Sequence, residues 1–130
     1  MHEPARSGFS YAVLRVVPRV ERGEALNAGV VLYARTRGFL EARVDLDAGR
    51  LSALAPGVDP EPIERHLHGR VRIAAGDEAA GPIALLPQSE RFAWLVAPSS
   101  TVIQPSPVHT GLCEEPDLAL ARLFDELVRV

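Results

Sequence analysis

Residues 9–17 (FSYAVLRVV) are apolar on both alternating faces and rich in β-branched and aromatic side chains, broken only by Arg15. That pattern predicts a central strand buried on both sides. Pro18 stops it, and residues 19–27 form a polar loop with room for one helical turn. A second apolar strand is expected over residues 29–35. Thr36, Arg37 and Gly38 then make a hairpin turn. The third strand alternates: Leu40, Ala42, Val44 and Leu46 take one face, Glu41, Arg43 and Asp45 the other, so one face is wet.

From residue 47 the period changes. Residues 47–54 predict a short helix, with Leu51 and Leu54 three apart. Asp59 followed by Pro60 is a helix start, a capping side chain before proline at the first helical position. This helix is expected to bury Ile63 and Leu67, to run to about His68 and to end at Gly69. Residues 75–82 read as a small-residue linker, and residues 82–87 as a brief apolar stretch. In residues 88–97, Phe92, Leu95 and Val96 favour a helix. A short strand is expected over residues 101–104. Glu114, Glu115, Pro116 and Asp117 suit a helix N-terminus, and Leu120, Leu123, Phe124, Leu127 and Val128 mark its apolar stripe. The order predicts one α+β domain: a mostly antiparallel sheet of about four strands with helices on one face, behind a flexible lead-in over residues 1–8.

Composition narrows the chemistry. The 130 residues are 47% hydrophobic and 24% charged, an ordinary globular balance. No apolar run is long enough for a membrane span, and residues 1–10 lack the apolar core of a secretory signal. A single cysteine, Cys113, excludes an internal disulfide framework. A cytoplasmic chain is therefore expected. The net charge of −3 argues against non-specific nucleic-acid binding. All fourteen basic residues are arginines. Without lysine there is no Walker-type phosphate loop, no Schiff-base chemistry and no protein-kinase core. Glycine-rich nucleotide and nucleophile-elbow motifs are also missing.

Each remaining candidate has a plain structural reading beside its chemical one. His66 and His68 would point about 200° apart on a helix and cannot share a metal, and on a strand they could form only half of a site, so no metal site is expected, and no cofactor is expected either. Cys113 follows His109 by four residues, either a thiol–imidazole pair or an inert buried cysteine. Ser106, His109 and Thr110 could bind an anion or serve acid–base chemistry, or could sit in a Pro- and Gly-fixed turn between the last strand and the last helix. Arg22, Glu24 and Asn27 gather both charges and an amide before a strand, which is also good turn chemistry. Arg91 and Trp94, three apart on a helix, could stack as a recognition surface, or Trp94 could line the core. Arg15 in an apolar strand needs a partner, and Glu24 is the candidate.

Two stretches resemble a known family. Pro18, Arg22, Gly23, Glu24, Asn27 and Gly29 form one signature. Arg91, Phe92, Trp94 and Leu95, followed by Ser106 to Gly111 (SPVHTG), form the other. With these, the chain from about Tyr11 to Val128 resembles the bacterial family called domain of unknown function 3037. The resemblance implies a small cytosolic protein without an assigned reaction and suggests a HipA-like kinase as neighbour or partner.

Two functions are expected from this reading, with nucleic-acid binding through a local arginine face as a third alternative. The first is a non-enzymatic partner module, bound to another protein or to its own copy, with Arg91 and Trp94 as anchors. The second is a small hydrolase or anionic-ligand-binding enzyme, with a pocket from Arg19, Glu24, Asn27, Arg91 and His109 and with Glu24 or His109 as acid or base.

Overall fold

In the computed structural model, which describes residues 5–129, the first strand, β1, runs Ser7–Val16. Of the expected lead-in, residues 1–4 lie outside the described residues, while Ser7 and Gly8 already belong to β1. The second strand, β2 (Leu26–Ala34), pairs antiparallel with β1. It turns through a 3-10 segment, Arg35–Arg37, and a left-handed Gly38 at φ 58°, where glycine has no Cβ to strain. The third strand, β3 (Phe39–Val44), pairs antiparallel with β2 as the hairpin pattern predicts.

Two helices follow. α1 (Ala48–Leu54) is capped by Asp47, whose side chain accepts from the Arg50 N–H. α2 (Pro60–Ala75) starts at Asp59 and Pro60 as expected. It does not end at Gly69. A glycine inside a helix costs it about 1 kcal/mol, whereas burying Ile73 returns about 1.5–3 kcal/mol. The stripe therefore continues through Ile63, Leu67, Ile73 and Ala74, and Gly76 supplies the left-handed cap instead. Residues 75–82 contain a 3-10 turn, Glu78–Ala80, and a second one follows at Pro82–Leu85. α3 (Gln88–Val96) is helical as its spacing predicts and buries Phe92 and Leu95.

The chain then returns to β1. β4 (Ile103–Pro105) pairs with the C-terminal end of β1, and β5 (His109–Cys113) with its N-terminal half. The stretch expected to be a turn before the last helix is thus partly a fifth strand. His109–Cys113 is mostly exposed and lacks an apolar run, so its strand character comes from β1's unfilled edge rather than its own residues. The sheet is antiparallel throughout, with β3, β2 and β1 side by side and β4 and β5 end to end beyond them. α4 (Pro116–Leu127) closes the chain on its predicted stripe. No helix is long and apolar enough to cross a membrane among the described residues.

The α+β class and the antiparallel sheet stand as expected, but the helices divide between both faces. On one face Ala12, Leu14, Val16, Val31 and Ala42 meet Leu51, Leu67 and Leu95 of α1, α2 and α3. On the other, Phe9, Val30, Leu32 and Ala34 meet Leu120, Leu123 and Phe124 of α4. Val30, Val31 and Leu32 are all fully buried, so β2 needs cover on both sides. A bulge sets which residues of β2 meet which layer. Leu14 pairs with Gly29 and Arg15 with Asn27, which leaves Ala28 unmatched and shifts the alternation of β2 by one residue. At the bulge a Cβ on Gly29 would sit 2.8 Å from Val44 and 2.9 Å from the Arg43 carbonyl.

Gly29→Ala is therefore expected to lower stability by about 1–3 kcal/mol, because backbone must move to make room. Gly8, in the same sheet, has open space around it. Gly8→Ala should stay within about 0.5 kcal/mol of the parent in the same urea titration.

Candidate functional site

The first signature builds a turn and a helix cap. Arg22 and Gly23 both donate backbone N–H groups to the Arg19 carbonyl, and Gly23 takes φ 70°. Arg19, Arg22 and Glu24 are exposed on this turn, where Arg22 and Glu24 form an ion pair. The hydrogen bond from Arg22, then its charge, hold the Glu24 carboxyl below the usual carboxylate range. Glu24 is not the partner of Arg15. The Arg15 guanidinium donates instead to the carbonyls of Gln104 and Pro105, at 3.1 and 3.0 Å. These are groups of β4, which sequence could not place beside β1. The Asn27 side chain donates to the Leu127 carbonyl at 3.0 Å and so satisfies one of the last carbonyls of α4.

The second signature is divided among three tasks. Arg91 donates to the Leu86 carbonyl at 2.8 Å and to the Ala74 carbonyl at 3.3 Å, fixing the C-terminal end of α2 beside Gly76. It does not stack on Trp94. That ring is 40% exposed, so it does not line the core, and it lies under Arg70 of α2, whose guanidinium carbon is 4.9 Å from the ring centroid. Arg70 has no near neighbour of Trp94 in sequence to announce it, so only the packing of α2 on α3 reveals the pair. Desolvation by burial lowers the Arg70 guanidinium pKa from its ordinary value.

Ser106 mends the seam between β4 and β5. Its N–H donates to the Val13 carbonyl, its hydroxyl accepts from the Val13 N–H, and that hydroxyl donates on to the Pro107 carbonyl, all within 2.9 Å. Both backbone groups of Val13 thereby keep a partner where β4 has ended and β5 has not begun. Thr110 is exposed opposite Ser10. His109 is exposed opposite Tyr11, with the ring centroids 5.3 Å apart. Gly111 leaves space for the Phe9 ring, which a Cβ would meet at 2.6 Å.

Glu24, Arg91 and His109 do not converge. His109 lies opposite Tyr11, whereas Glu24 lies past the far end of β1, about 16 Å along the strand from Tyr11. Arg91 works on the face covered by α2, while Tyr11 packs on the face covered by α4. None of the three lines any of five surface cavities. One of these, a cleft of about 510 Å³, does hold Arg15, Ser99, Gln104 and Ser106 among proline and valine side chains. His109 and Cys113 stand at opposite ends of β5 and form no pair. Burial is the main influence on the Cys113 thiol and pushes its pKa up. His66 and His68 line different hollows on α2, and no cluster of three potential metal ligands occurs among the described residues.

Asn27→Ala is expected to cost about 1 kcal/mol, read as a lower urea midpoint, since the Leu127 carbonyl loses its donor. Cys113 should be alkylated by iodoacetamide more slowly than free cysteine. The rate should rise through a midpoint displaced to higher pH, because the fold favours the neutral thiol. Denaturant should abolish the difference.

No curated protein and no solved structure matches the chain significantly. A family described as protein of unknown function (DUF3037) matches residues 11–128, which spans both signatures and every element from the middle of β1 to the end of α4. The chain belongs to that family.

Proposed function

We propose that the chain is a non-enzymatic protein-binding module that uses the Arg70–Trp94 surface. The observation that carries this reading is an exposed tryptophan ring with the guanidinium of Arg70 over it, an arginine with no ion-pair partner among the described residues. Tryptophan and arginine are the commonest anchors of protein interfaces, and a cation–π pair presents both in one rigid orientation. Beside them a shallow hollow of about 430 Å³ is lined by Pro62, Arg65, His66, Gly69, Arg70 and Ile73. Its charge favours an acidic partner segment.

The enzyme alternative has less support. Arg19 and Glu24 share one exposed turn, but Arg91 and His109 lie far from it and from each other, and two of the five, Asn27 and Arg91, are engaged in holding helix ends. A HipA-like kinase, suggested by the family resemblance alone, is the first named partner to test.

A tagged chain recovered from its native lysate should bring down one stoichiometric companion. Trp94→Ala or Arg70→Ala should reduce that recovery about tenfold or more, while Arg22→Ala should leave it unchanged. Absence of a companion, or recovery indifferent to Trp94 and Arg70, overturns the proposal.

A further inference from the structure

Arg15 is the one charged residue lining the cleft beside β4. It is half-buried and forms no ion pair among the described residues. A cation drawn partly out of water gains from an anion beside it. Two hydrogen bonds fix how its guanidinium points. Nε donates to the Gln104 carbonyl and Nη2 to the Pro105 carbonyl. These two nitrogens form one side of the planar fork, so that side is held against the backbone of β4. The end of the fork offers one N–H from Nη1 and one from Nη2, and neither has a partner among the described residues. Nor is Nη1 shut away from solvent. The buried side-chain nitrogens without a partner, among the described residues, are Nε of Arg70 and Nε of Arg91. Two parallel N–H groups match the two oxygens of a carboxylate. A fork already held in place loses little freedom when it binds one.

The other polar side chains of the cleft are engaged with the protein. The Ser106 hydroxyl bonds Val13 and Pro107, and the Ser99 hydroxyl bonds Thr101. Gln104, opposite Arg15 in the ladder, gives one amide N–H to the Thr101 carbonyl, and its other N–H has no partner among the described residues. Pro98, Pro105 and Pro107 bring no N–H. A phosphate is held by several converging backbone N–H groups or by a helix N-terminus, and this lining has neither. One guanidinium, one amide and an apolar lining suit a single negative charge on an apolar body. Val96, Val108 and the three prolines supply that lining. The prolines have fixed φ, so their part of it is rigid before a ligand arrives. The volume, about 510 Å³, is that of a small-molecule site, which runs roughly 300–1,000 Å³.

We propose that this cleft binds a small monocarboxylic acid with a branched or aromatic body, its carboxylate seated in the end of the Arg15 fork. The occupant would bridge β1, β4 and the loop after α3, which contribute Arg15, Pro105 and Pro98. This goes beyond the binding-module reading. Neither Trp94 nor Arg70 lines the cleft, so either proposal can fail alone.

The test is a titration of the full chain followed by amide chemical shifts. The probe is 3-phenylpropanoate, with 3-phenylpropanamide as its uncharged counterpart. The amides of Gln104, Ser106 and Val108 should shift saturably with the acid, at a Kd of about 1 mM or tighter. The uncharged amide should bind about tenfold more weakly or worse. Arg15→Lys keeps the charge but removes the fork, and should weaken binding of the acid about tenfold. Arg15 also joins β1 to β4, so Val108→Glu serves as a second variant. Val108 is 45% exposed and outside both cores, and a carboxylate there should repel the acid about fivefold at low salt. Far-ultraviolet circular dichroism checks that each variant is folded. Absence of saturable shifts, equal binding of the acid and the amide, or folded variants that bind like the parent overturns the proposal. Binding of N-acetylleucine without binding of 3-phenylpropanoate would assign the fork to the last residue of a polypeptide and overturn it as well.

Discussion

Everything in this molecule is hung on β1. On one edge it holds β2, and through β2 the hairpin to β3. On the other it holds two short strands in succession, with Ser106 bonding Val13 at the point where neither strand can. Its side chains feed both cores, Ala12, Leu14 and Val16 on one face and Phe9 on the other. A strand used on both edges and both faces tolerates few polar residues. The one large exception, Arg15, is accommodated by spending its guanidinium on the carbonyls of β4.

This explains what the two signatures do. Asn27 ties the start of β2 to the end of α4, Gly29 admits the bulge, Ser106 mends the seam and Gly111 clears the Phe9 ring. Arg91 locks α3 to the end of α2. These residue types look like chemistry because hydrogen-bonding side chains and glycines also serve active sites. Here most of them join segments far apart in sequence. The surface left over includes the exposed Trp94 ring with Arg70 over it.

Local structure was largely legible because local forces decide it. The alternation of β3, the cap at Asp59 and the stripe of α4 each carry their own signal. β5 carried none, because His109–Cys113 becomes a strand only when β1 offers it an edge. Gly69 misled because a single residue's propensity is weaker than the burial of Ile73 one turn later. The site was legible only as a set of residue types. Arg70 on Trp94, Arg15 on β4 and Asn27 on α4 are all long-range pairings, and spacing along a chain holds no information about them.

The seam at Ser106 also sets an order of events in time. Val13 and Ser106 are 93 residues apart, so the second edge of β1 cannot be filled until nearly the whole chain exists. As the polypeptide leaves the ribosome, β1, β2 and β3 can assemble early, but they present an apolar strand with an open edge while residues 103–113 are still being made. Closing contacts so far apart in sequence costs loop-closure entropy before any bond rewards it, and an apolar edge left open meanwhile is a site for wrong pairing. The late segment is rich in proline and poor in apolar residues, so it is ill suited to aggregate on its own account before it closes the sheet.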